Sequence, residues 1–454
     1  MRFDMGIAAT VGTRIFPITT LAALTLAACG GGGGGGFTPG TFAIGGALSG
    51  LAAGQTVVLA NGGADLLTLS TNGAYTFKTA VTSGGSYSVS VSTPPTGQTC
   101  TVANASGSNV MANVTNANVT CAGASKYAYV VNNGDKTLSA YSINAQGELV
   151  SLGVSTATGT SPQSVNADPS GRYLYVANFG DNTVSQYTIG LDGALQPMTA
   201  PTVATGTGPN AVAIDPTGSY AYVLNESDRT LAQYTIGSGG ALTAMTTATV
   251  PTGIQPRAVT IDAAGKNVYV SNQSDRTVSQ YSLGTTGALT ALNPPTVASG
   301  ALPSGIAVDP AGLYAYVANY SDGSVSQYSV GSGGSLTPQS ASTVTTGTNP
   351  IYVAVDPSGA NAYVANYVNG ARGTLSQFKI GSGGGLTPMA IPTVNAGTGP
   401  VWMAIDPAAQ NAYVANMNSN TVSQYAIGAD GSLTPLSTPT VATGTKPFAI
   451  AIVN

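Results

Sequence analysis

The 454-residue chain contains no histidine. That removes the commonest general base of enzyme sites and a common metal ligand. Charged residues make up 7% of the chain, far below the usual quarter, so Gly, Ser, Thr, Asn and Gln must cover most of the surface. The 13 lysines and arginines are scattered and the net charge is −4, which excludes the clustered cations that a nucleic-acid partner needs. No apolar run reaches the length of a stable membrane span. There is a single tryptophan and there are three cysteines. A hydrophobic fraction of 43% nevertheless provides for real cores, and the length allows two or three domains.

The N-terminus has the features of an export signal. Arg2 and Arg14 precede an apolar, small-residue run, Ile15 to Ala28, too short to span a bilayer. It ends in "LAAC", Leu26 to Cys29, followed by glycines 30–36. This ending resembles a bacterial lipobox. The resemblance implies a signal peptide over residues 1–28, cleavage before Cys29, and lipid on its thiol and new amine. Residues 29–40 would then be a lipidated cysteine and flexible tether. Gly30 after the cysteine resembles lipoproteins sent to the outer membrane, so the expected location is the cell envelope, with lipid as the only membrane attachment. Cys100 and Cys121 remain, an even pair 21 residues apart in an oxidising compartment, which reads as a disulfide.

Residues 41–122 contain short β-type runs, "QTVVLAN", "AYTFKTA", "SYSVSVST" and "NANVTCA", parted by Gly, Asn and Ser turns. They predict a small immunoglobulin-like β-sandwich, acting as a spacer without chemistry of its own. From Lys126 to Asn454 everything repeats. "YVAN" or a near copy begins at Tyr129, Tyr175, Tyr222, Tyr269, Tyr316, Tyr363 and Tyr413, in steps of 46, 47, 47, 47, 47 and 50. A fixed period of this size with only strand signals predicts a propeller array. Within one unit, "GPNAVAIDP" is the inner strand, "YAYVLN" the second, "LAQYTI" the third and "ATVPTG" the outer. The array opens on a second strand and closes on an inner one, "PFAIAIV". Six complete sets plus these split parts predict seven blades, the C-terminal strand joining the three from Lys126 to Gly159. YVxN is then the second strand of each blade, with its Asn bonding the turn backbone.

Six aspartates recur after the inner strand: Asp168, Asp215, Asp262, Asp309, Asp356 and Asp406. Each opens a turn, so turn capping accounts for them. No segment has calcium-loop spacing, and no metal or other cofactor is expected. The informative positions are those where repeats differ. Directly after the repeat proline come Gln163, Asn210, Arg257, Ser304, Ile351, Val401 and Phe448. One place further are Ser164, Ala211, Ala258, Gly305, Tyr352, Trp402 and Ala449. Strand alternation sets both rows at one mouth of the disc, small or polar on four neighbouring blades and bulky and apolar on three. Gln163, Asn210, Arg257, Ser304, Tyr352, Trp402 and Phe448 are therefore the candidate ligand-binding residues.

Residues 126–454 resemble the YVTN-type seven-bladed propellers grouped with the lactonase family, which includes 6-phosphogluconolactonase-like enzymes. In the lactonase branch one blade carries Pro-Arg-His, followed by Asn-Glu in the turn of the next strand. The best matching blade here has Pro256 and Arg257, but Ala258 at the His position and Gln273 at the Glu position. Glu226 follows YVLN in the preceding blade. The resemblance implies lactone hydrolysis, for which Arg257 and Glu226 are the only candidate catalytic residues. The missing histidine favours instead a monomeric platform that binds a small ligand or an envelope protein without catalysis.

Overall fold

The computed structural model describes residues 40–51, 54–95, 98–123 and 126–453. Cys29 and the whole signal-like segment lie outside them.

The N-terminal unit is all β. One sheet orders Gly73–Thr76, Gly45–Ser49, Val119–Gly123 and Gln98–Val102; a second orders Asp65–Leu69, Val57–Asn61, Tyr87–Thr93 and Ser106–Gly107. Val119–Gly123 runs parallel to Gly45–Ser49 and antiparallel to Gln98–Val102, where Cys121 stands opposite Cys100 and is bonded to it. Ile44, Val57, Leu59, Phe77 and Val119 fill the space between. The strand "GGALS" escapes a reading by alternation because its glycines carry little period-2 signal.

Residues 126–453 form seven four-stranded antiparallel sheets. The seventh orders Leu149–Ala157, Thr137–Ile143, Lys126–Asn132 and Pro447–Val453, so the two ends of the array share one blade. Each second strand is buried along both faces, as in Asn411–Asn416, which is why Val, Ala and Tyr fill it. Outer strands are longer than the sequence suggests: the second blade's spans Leu242–Pro251 and carries a bulge against its neighbour.

The repeated tyrosine fastens blade to blade. Tyr129, Tyr175, Tyr222, Tyr269, Tyr316, Tyr363 and Tyr413 each donate their hydroxyl to a glycine carbonyl in the adjacent blade, at 2.6–2.8 Å. The repeated asparagine acts differently from the sequence expectation. Asn178 Nδ2 donates to Thr183 Oγ1 and Ser185 Oγ of the third strand, and its Oδ1 accepts from the backbone N–H of Gly159. It ties the blade's third strand to its entry loop rather than capping its own turn. The aspartates do cap: Asp215 Oδ1 accepts from the backbone N–H groups of Ser219 and Tyr220.

Candidate functional site at the propeller mouth

Seven β-bulges build the site. The inner strand of each blade pairs with the second strand at the repeat proline, then skips at least one residue before the ladder resumes. The skipped residues include Gln163, Asn210, Arg257, Ser304, Ile351, Val401 and Phe448. A bulge frees a residue from the ladder and re-aims its side chain, and all seven line one cavity of about 270 Å³ at the mouth of the central channel. Every predicted ligand-binding residue is brought together there. Repetition signals the positions, but the bulge itself depends on strand pairing and has no sequence signature.

The cavity has two kinds of wall. On one side, Arg257 Nη1 lies 3.8 Å from Glu226 Oε2, with the two side chains 26% and 24% exposed. This exceeds a direct hydrogen bond, so the guanidinium keeps donors for another partner. Burial works against the charge of Arg257, and the carboxylate of Glu226 partly restores it. Asn210 Nδ2 donates to Glu226 Oε2 at 2.9 Å and to the Pro256 carbonyl at 2.8 Å. Both partners are acceptors, which fixes the orientation of the amide. Its Oδ1 is buried without a partner, as is Oε1 of Gln163.

The other side is aromatic. Tyr352 and Trp402 rings are 4.4 Å apart at 32°, and Trp402 Nε1 donates to the Ile450 carbonyl at 3.2 Å. Phe448 faces the Arg257 guanidinium at 5.7 Å, a cation–π contact across the channel. Gly305 makes room for this wall: a Cβ there would sit 2.7 Å from Tyr352 Cα. Neither Gln273, the residue at the Glu position, nor Glu226 is among the cavity's lining residues; Glu226 stands behind Arg257 and Asn210, which are. Among the described residues no group of three or more His, Cys, Asp or Glu is arranged to hold a metal ion.

The fold and mouth define a closed seven-bladed β-propeller with a ligand-sized cavity at one mouth. The chain belongs to the lactonase family of seven-bladed β-propellers, whose model matches residues 111–211, 196–302, 276–345 and 339–449. It is similar in structure to a Bacteroides fragilis protein provisionally named a 6-phosphogluconolactonase, with TM-score 0.64 and 20% identity over 73% of this chain and 98% of that one. It is also similar to a periplasmic gluconolactonase from Pseudomonas aeruginosa, with TM-score 0.60 and 18% identity over 73% and 99%. At these identities the likeness is one of fold. No curated protein matches the chain by sequence.

Proposed function

We propose that the mouth is a lactone-hydrolysing site in which Glu226 and Arg257 act as a pair. The observation that supports this most is their placement: a carboxylate 3.8 Å from a guanidinium that lines the open mouth, with donors on Arg257 left over. In this reading Arg257 polarises the lactone carbonyl and holds the oxyanion as it forms. Glu226 takes a proton from a water molecule as that water's oxygen bonds to the carbonyl carbon. The ring C–O bond then breaks, and the proton passes to the leaving alkoxide, giving a hydroxy acid. Asn210 acts as a positioning residue by fixing the carboxylate of Glu226. The product carboxylate adds a negative charge beside Glu226, which favours its departure.

The balance shifts from the platform expected on the missing histidine, because family membership and the charge pair both favour hydrolysis. Binding without turnover is the second reading, and the histidine-free sequence still supports it. The test is lactone opening at neutral pH, followed by acid release, with intrinsic fluorescence of Trp402 as an independent report of binding. Hydrolysis above the buffer rate, abolished by both Glu226→Gln and Arg257→Ala, supports the enzyme. A fluorescence response without hydrolysis supports the binding reading.

A further inference from the structure

Lactone opening needs two proton movements, and Glu226 accounts for one of them. It stands behind Arg257 and Asn210 rather than in the cavity wall. A single carboxylate behind one wall serves the attacking water, which leaves the departing ring oxygen to be protonated from elsewhere. An alkoxide is a poor leaving group unless a proton reaches it as the C–O bond breaks. Among the residues lining the cavity, Arg257 does not give up a proton in a protein. The hydroxyls of Ser164, Thr260 and Ser304 belong to alkyl alcohols, no more acidic than the leaving alcohol itself. Tyr352 is the remaining donor, and a phenol, ionising near about pH 10, is far more acidic than any of these.

The fold holds this phenol in place without using it. Tyr352 is the residue at which the fifth blade's inner ladder resumes after its bulge, opposite Ala365. Its ring lies against Trp402 at 4.4 Å, and the absent side chain of Gly305 leaves room for its backbone. The second-strand tyrosines give their hydroxyl protons to glycine carbonyls, as Tyr222 and Tyr413 do. The Tyr352 hydroxyl has no such partner among the described residues. Nor is it one of the fully enclosed unpaired atoms, which are Gln163 Oε1, Asn210 Oδ1 and Asn366 Oδ1, so it is open to the cavity. Burial raises it well above its ordinary range, with no hydrogen bond to offset the effect, and it therefore carries its proton at neutral pH. Tyr352 also lines a second cavity of about 360 Å³, which continues along the channel toward Pro357 and Pro407 and gives solvent a path back to the phenol.

Resting on the reading of the mouth as a lactone site, we propose that Tyr352 is a further catalytic residue, the general acid that protonates the leaving ring oxygen. As the oxygen of water bonds to the carbonyl carbon, Glu226 takes one of the water protons. The bond between that carbon and the ring oxygen breaks, the electron pair stays on the ring oxygen, and the Tyr352 hydroxyl gives it a proton. The proton on Glu226 then returns to the phenolate through solvent. Lactone and water have become a hydroxy acid, and the site is back in its starting state.

The experiment uses Tyr352→Phe, which keeps the ring against Trp402 and removes only the hydroxyl. Two neutral six-membered lactones are compared: δ-valerolactone, which releases an alkoxide, and dihydrocoumarin, which releases a phenolate that departs without a proton. On δ-valerolactone the variant is expected to lose about 100-fold in kcat with KM little changed; on dihydrocoumarin it should lose no more than about threefold. Retained turnover of dihydrocoumarin also shows that the variant is folded. Equal losses on the two lactones mean that the ring position matters and the proton does not, which overturns the proposal. No loss on either lactone overturns it too, while the hydrolytic reading of the mouth survives. A wild type that opens dihydrocoumarin alone keeps the hydrolytic reading but has no acid for an alkoxide, and the role of Tyr352 falls. A wild type that opens neither defeats both.

Discussion

The hydroxyl of Tyr413 donates to the carbonyl of Gly147 at 2.7 Å, joining residues 266 positions apart. It is one of seven equivalent bonds around the ring, and it belongs to the junction where the end of the chain meets its beginning. There the bond fastens the sixth blade to the spliced seventh, beside the carboxylate of Glu148, which accepts from Ser437 Oγ and the backbone N–H of Thr438.

Removing that hydroxyl should therefore weaken closure. Tyr413→Phe leaves the buried Gly147 carbonyl without its donor and should cost roughly 1–2 kcal/mol. Thermal unfolding of the propeller followed by circular dichroism would register this as a lowered Tm. Tyr367→Phe, at an exposed hydroxyl, should leave the transition nearly unmoved. Equal behaviour of the two variants would remove the closure role of the bond.

The same tyrosines make the propeller sensitive to alkali. Burial raises the hydroxyls of all seven ring tyrosines well above their ordinary range, with nearby aspartates adding to the effect at several. Tyr281 and Tyr425 of the third strands are pushed up to about 12. In the unfolded chain tyrosine ionises near about pH 10. Above that pH the unfolded state has lost protons that the folded state retains, so stability falls as pH rises. Full stability should hold below about pH 10, with Tm dropping steeply beyond it and phenolate absorbance appearing together with unfolding. Phenolate absorbance that rises before unfolding would contradict this coupling.

The Cys100–Cys121 bond should stabilise only the N-terminal unit, by about 3 kcal/mol for a loop of this length. Two thermal transitions are expected, and reductant should move one of them. Movement of the propeller transition on reduction would refute the division of the chain into these two units.

Cys29 carries the expectation about location. On the lipobox reading, which we propose for the mature protein, the product begins at a lipidated Cys29 and partitions into detergent. Cys29→Ala should convert it to a form released in the aqueous phase. Mass spectrometry of the wild type finding an unmodified Cys29 in an aqueous product would remove the lipoprotein assignment.

The sequence by itself determined the blade number, the strand order and the splice that closes the ring. A fixed period of nearly constant length leaves little freedom: each unit has one apolar second strand, and the parts left over at the two ends make one more sheet. It also determined which rows of residues to compare, since a position that varies within an otherwise constant repeat is freed from the shared packing. Tertiary structure decided what those positions become. Whether Gln163, Asn210 and Arg257 stay in the ladder or bulge from it depends on pairing with the second strand. That Arg257 comes near Glu226 of the preceding blade, and that it meets Phe448 across the channel, depends on the disc bringing separate blades within a few ångströms. Such contacts have no local signature because the segments that make them are independent in sequence and meet only when the disc is complete.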